Sequence, residues 1–174
     1  MIKILYGESD FQKLMVRKVF YQDRTSFIET LENWTSNYPV FLRPRRFGKS
    51  LFVSILHYYY GLEHKAAFQN LFGSLYIGRN PTELANSYMI LRFEFSRIDT
   101  STHERTYQGF LTNVIEGARR FLGAYRSFFS KEDMQTVLNQ KSPEGLVKTL
   151  FGLMNYNNVP HKTCGQNHFY SHHL

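Results

Sequence analysis

The stretch Val40-Phe41-Leu42-Arg43-Pro44-Arg45-Arg46-Phe47-Gly48-Lys49-Ser50-Leu51 sets a Gly-Lys-Ser triplet between a short apolar run and an amphipathic pattern. Such a triplet has a clear use where a sharp turn brings backbone N–H groups together at the positive end of a helix, the natural seat of a phosphate. Gly48 permits close backbone approach, since a Cβ there would crowd the ligand. Lys49 is suited to lie between terminal phosphates, and Ser50 to offer its hydroxyl to Mg²⁺. Arg43, Arg45 and Arg46 add charge-assisted contacts, and Pro44 and Phe47 complete the candidate nucleotide-binding loop Arg43–Ser50. The first glycine of the usual G-x-x-x-x-G-K-[ST] pattern (Walker A) is replaced by Arg43. On spacing alone, a basic surface loop at a helix start competes with the phosphate-binding reading.

Around this loop, spacing and capping residues predict mainly helices. Ser9-Asp10 precedes a short one with Phe11, Leu14 and Met15 on one face. Ser26-Phe27-Ile28-Glu29 has capping-box spacing, so a second helix is expected to run to about Trp34, followed by a turn over 35–39. From Lys49 to Tyr60, Leu51, Phe52, Ile55, Leu56 and Tyr59 follow helical spacing, and Gly61 stops the run. Gly73 to Pro81 reads as a connection. Ser101-Thr102-His103-Glu104 opens the clearest helix, whose stripe includes Tyr107, Phe110, Val114, Ala118, Phe121 and Leu122. Ser130 opens another, and Ser142-Pro143-Glu144 the last, with Leu146, Val147, Leu150, Phe151 and Met154 as its apolar face. Val40-Phe41-Leu42 and Met89–Phe95 are the two expected strands, and Val40-Phe41-Leu42 is expected to be buried. Helices alternating with apolar strands predict an α/β fold, although a covered parallel sheet normally needs more strands than these.

The loop and two other stretches carry a family resemblance. Phe41–Leu51 closely resembles the phosphate loop of the bacterial AAA-ATPase-like family, in which arginine and proline commonly stand in place of the first glycine. Ser9–Leu14 together with Tyr21–Ile28 is similar to the family's opening, where a Tyr-x-Asp-Lys-Thr element precedes the loop. Leu91-Arg92-Phe93-Glu94-Phe95-Ser96 is similar to a later strand. The resemblance spans roughly residues 7 to 160. It implies a P-loop NTPase-like parallel sheet flanked by helices, ATP with Mg²⁺ as ligand, and Asp23 and Thr25 as residues near the nucleotide.

Family members usually continue into a hydrophobic strand ending in paired acids, which position Mg²⁺ and the attacking water, and then into a PD-(D/E)XK nuclease-like domain. Here the last acidic residue is Glu144, and the sequence from Pro160 onward offers neither strand nor carboxylate. The expectation is a P-loop domain over 1–160, incomplete and truncated before the acidic strand, with a non-family tail over 161–174 and hydrolysis in doubt. Glu94 and Asp99 are the substitute carboxylates the sequence offers for Mg²⁺, and the reading disfavours them.

The remaining features bound the function. No apolar run approaches the ~20 residues of a membrane span, and a single cysteine fits a reducing, cytoplasmic setting. The formal charge of +7 suits an anionic partner, either nucleotide or nucleic acid. Arg17, Lys18, Arg45, Arg46, Arg119 and Arg120 supply that charge without a specific reader motif, so nucleic-acid binding without ATP is the alternative function, and a non-functional fragment a further one. Cys164, His168 and His172, with His161 and His173 nearby, have zinc-like spacing but no acid to orient the imidazoles.

Overall fold

A computed structural model of the chain describes residues 7–35, 39–42, 44, 46–96 and 98–157. The expectations for the tail at 161–174, its cysteine and histidines included, and those for Arg43 and Arg45 individually lie outside these residues. The described chain divides at Tyr88/Met89 into two compact units.

The first unit contains α1 (Phe11–Val16), α2 (Phe27–Glu32), α3 (Lys49–Tyr60), a 3-10 helix (Leu62–Ala67), α4 (Phe68–Phe72) and α5 (Tyr76–Arg79). α1 packs on α3 and α4, and α4 on α5. Short helices such as these are marginal by themselves and depend on a shared apolar core. That core is aromatic: Phe72 is fully buried and lies 4.9 Å from Phe11, 5.5 Å from Tyr59 and 5.3 Å from Phe68, ring centre to ring centre. Polar ties reinforce it. The Phe11 N–H donates to Ser54 Oγ at 3.0 Å, and Tyr60 and Thr82 hydroxyls both donate to Glu32 Oε1, at 2.8 and 2.9 Å.

The C-terminal end of α3 is closed by the segment that follows α5. A helix leaves its last four carbonyls without intrahelical donors. Here His57 O accepts from Gly61 N, Tyr58 O from Asn86 Nδ2, Tyr59 O from Asn86 N and Tyr60 O from Tyr88 N. Gly61 and Tyr88 form an isolated parallel bridge.

The second unit contains α6 (His103–Ala124), a 3-10 turn (Arg126–Phe128), α7 (Lys131–Leu138) and α8 (Pro143–Tyr156), with α6, α7 and α8 packed pairwise. Its core joins Val114, Ala118 and Leu122 of α6 to Val137, Leu146 and Leu150. The expected α6 stripe is buried only along its C-terminal half, as Tyr107 and Phe110 are 47% and 39% exposed. The Ser130 capping box forms with Asp133, and Ser142 caps α8 through Gly145 N.

The parallel sheet expected from sequence is not present: the described residues contain helices and no strand. Val40-Phe41-Leu42 is exposed, with Leu42 at 88%, so it is neither a strand nor buried. Met89–Phe95 is irregular and lies on α6 instead of pairing with a neighbour. Tyr125 Oη accepts the Ile90 N–H at 2.8 Å, and Phe95 stacks on Phe110 at 4.9 Å. Gly117 makes this packing possible, since a Cβ there would lie 2.8 Å from the Arg92 carbonyl oxygen and against the Phe93 ring. An apolar run becomes a strand only when another strand satisfies its backbone; here α6 packs against the run, and the Tyr125 hydroxyl takes the Ile90 N–H.

Smaller expectations also shift. Asp10, not Ser9, caps α1; Thr102, not Ser101, caps α6; Ser26 makes no side-chain cap bond. The expected connection over Gly73–Pro81 contains α5.

Candidate functional site

The Gly-Lys-Ser triplet begins α3. Gly48 is the N-cap with φ +75°, a left-handed conformation that glycine adopts without steric cost. Arg46, two residues earlier, also has a positive φ, +70°. Such a value in a non-glycine residue costs roughly 1–2 kcal/mol. The first helical bond runs from Phe52 N to Gly48 O at 2.9 Å. The N–H groups of Lys49, Ser50 and Leu51 therefore precede the ladder and point out of the helix end.

Gly48 has no side chain with which to cap this end, and no acidic residue lies in the first turn. Its positive partial charge is therefore not neutralised by the helix's own sequence. Lys49 Nζ donates to the Pro44 carbonyl at 3.1 Å, folding the lysine back across the loop. The Phe41 ring meets Phe52 edge-on at 5.3 Å, which anchors the approach to the loop on α3. Ser50 is exposed, so its hydroxyl is accessible. Backbone donors, an ammonium and a hydroxyl fit a nucleotide phosphate with its Mg²⁺.

Asp23 and Thr25 occupy a second constellation in the same unit. Asp23 Oδ1 accepts from the Thr25 backbone at 2.9 Å and its hydroxyl at 2.7 Å, while Oδ2 accepts from Tyr76 N at 2.8 Å. Fully buried Thr25 accepts in turn from Ile77 N at 3.2 Å. The pair thus satisfies two leading N–H groups of α5, a structural task on which the sequence gives no hint. Burial pushes the Asp23 carboxyl upward, but hydrogen bonds from Thr25 and Tyr76 outweigh it and hold the group below its ordinary 3.8.

A depressed folded-state pKa contributes stability above the unfolded value, lost as pH falls through the folded one. Asp23→Asn should therefore be less stable than the parent chain near neutrality, and the deficit should shrink below about pH 4. Urea unfolding across that window checks this. A deficit constant with pH would mean that the carboxylate charge contributes nothing.

The other sequence candidates belong to the second unit or are engaged elsewhere. Asp99 accepts from Ser101 N at 2.9 Å and from Arg105 at 3.1 Å, and the Ser101 N–H above all holds its carboxyl below the usual range. Glu94 accepts from the Ser96 hydroxyl at 3.1 Å. Among the basic residues, Arg17, Lys18 and Arg46 lie in the first unit and Arg119 and Arg120 in the second, with Arg119 paired to Glu116 at 3.2 Å. No helix among the described residues is long and apolar enough to cross a membrane.

One cluster is missed by sequence reading. His57, Glu63 and His64 converge where α3 gives way to the 3-10 helix. The adjacent Glu63 and His64 were the available signal, but the turn at Gly61 breaks the helical spacing that would have linked them to His57.

No curated protein and no solved structure matches the chain. The model of a family described as predicted AAA-ATPase matches residues 5–157, most of the sequence, and the chain belongs to that family.

Proposed function

We propose that this chain binds ATP with Mg²⁺ through Arg43–Ser50. The observation that carries the reading is the start of α3: a helix end without first-turn acids, entered through Gly48 at φ +75° with Lys49 and Ser50 as its first residues. Strained positive-φ residues such as Arg46 persist where surrounding structure or a ligand justifies them, and they gather at ligand clamps. Lys49 supplies the charge to the terminal phosphates, exchanging its bond to Pro44 for stronger charge-assisted ones. Ser50 supplies the hydroxyl to Mg²⁺. Asp23 and Thr25 enter the proposal through the family's opening element, as groups near the nucleotide.

Hydrolysis needs carboxylates to hold Mg²⁺ and orient water. Asp99, the exposed candidate, is already engaged by Ser101 and Arg105 within the second unit.

Lys49→Ala should weaken Mg-ATP binding by about 10- to 100-fold, the worth of a charge-assisted hydrogen bond. Calorimetric titration on a sample with unchanged circular dichroism measures it. Unchanged affinity would refute the site. Repeating the titration at several salt concentrations separates the rival class, because a nucleic-acid surface weakens steeply with ionic strength and needs neither Lys49 nor Mg²⁺.

A further inference from the structure

At the opposite end of α3 from the phosphate-loop candidate, three metal-ligating side chains share one small volume. His57 Nε2 lies 3.1 Å from His64 Nε2, and Glu63 Oε1 lies 4.0 Å from the former and 3.5 Å from the latter. We propose that His57, Glu63 and His64 form a binding site for one divalent transition-metal ion of the zinc type.

The distances are those a zinc ion asks for. With Zn–N and Zn–O bonds near 2.0–2.1 Å, tetrahedral ligand atoms stand about 3.3 Å apart. The three separations bracket that value, so an ion can be seated by side-chain adjustments of a few tenths of an ångström.

The donor set selects the ion. Two imidazoles with one carboxylate suit zinc and its neighbours, whereas Mg²⁺ and Ca²⁺ prefer oxygen throughout. Three protein ligands leave a fourth position to water. The side chains are 25%, 17% and 20% exposed, so solvent reaches them.

The surroundings organise the cluster. The Tyr58 ring sits 4.4 Å from His64 and 5.3 Å from His57, fixing both imidazoles against one buried surface. Gly61 leaves the space into which Glu63 folds: a Cβ there would lie 2.7 Å from His57 O and 2.8 Å from Glu63 Oε2. The negative end of the α3 dipole lies here too, which favours a cation. Eight residues of helix separate Lys49 from His57, about 12 Å at 1.5 Å per residue, so this site is distinct from one holding a nucleotide's Mg²⁺.

The test uses the full 174-residue chain without an affinity tag, stripped by chelator and free of nucleotide. Zn²⁺ is titrated in competition with a chromogenic chelator, and Co²⁺ is followed by its visible absorption. One equivalent should bind, with the intense visible bands of four-coordinate Co²⁺. His57→Ala and His64→Ala should each lower affinity by more than about 100-fold, since even outer-shell partners are worth up to that much. Glu63→Gln, which keeps size and fold, and Gly61→Ala, which displaces Glu63, should weaken it as well. Cys164→Ser combined with His168→Ala and His172→Ala should leave the site intact. Absence of binding in the parent chain overturns the proposal. So does binding that survives Glu63→Gln and His64→Ala but is lost in the triple tail variant.

Discussion

Phe72→Ala should remove about 3–5 kcal/mol of folding free energy, read as a shift in the urea midpoint of the first unit. Phe72 is fully buried, and its ring joins Phe11 of α1, Tyr59 of α3 and Phe68 of α4. Truncation loses the transfer free energy of the ring and leaves a cavity that these neighbours fill only in part. The elements that meet here have 6, 12 and 5 residues, so α1 and α4 in particular are too short to persist without the contact. Against a typical total of about 5–15 kcal/mol, the loss is a large fraction. Phe72→Leu keeps most of the volume and should cost markedly less. A loss below about 1 kcal/mol for the alanine variant would show that the cluster does not organise this unit.

Legibility from sequence followed the range of the interaction concerned. α3 from Lys49 to Tyr60 was readable because its apolar spacing and its stop at Gly61 are local, and it forms with those bounds. α7 and α8 were readable for the same reason, through Ser130 and Ser142. The strands were not. Met89–Phe95 has the composition of a strand, but its state depends on what lies beside it, and α6 with its small Gly117 accepts it instead. Val40-Phe41-Leu42 was read as buried because it is apolar, yet three apolar residues without a ladder stay exposed.

The same distinction divides the candidate sites. Gly48-Lys49-Ser50 is contiguous, so its place at a helix start could be foreseen, and Gly48 takes the positive φ that such a turn demands. Asp23 and Thr25 could be singled out, but not their hold on α5, which begins at Tyr76. Asn86 passed unnoticed, since nothing in its neighbourhood reveals that it finishes a helix ending at Tyr60.

That role of Asn86 makes it a sensitive polar position. Its backbone has φ +49°, a left-handed value asparagine tolerates better than most residues, and its side chain is largely buried. Nδ2 donates to Gly61 O at 2.8 Å and to Tyr58 O at 3.3 Å. Asn86→Asp changes almost no volume but turns a donor into an anion facing two carbonyl oxygens. Both carbonyls lose their partner and a charge is left buried without a counterion, so the variant should be less stable by about 3–5 kcal/mol at neutral pH. The sign of its pH dependence is fixed by the same geometry. The introduced carboxyl is raised in the folded state above its unfolded value of about 3.9. Below that value both states are protonated, and a protonated carboxyl donates to one carbonyl again. The deficit should therefore be smallest in acid and grow as pH rises from about 4 toward the folded pKa; the Asp23→Asn deficit also shrinks in acid, but its change falls below about pH 4. Parallel urea series on the two variants measure both slopes in one experiment. A deficit in Asn86→Asp that ignores pH would mean that its amide does not face the end of α3.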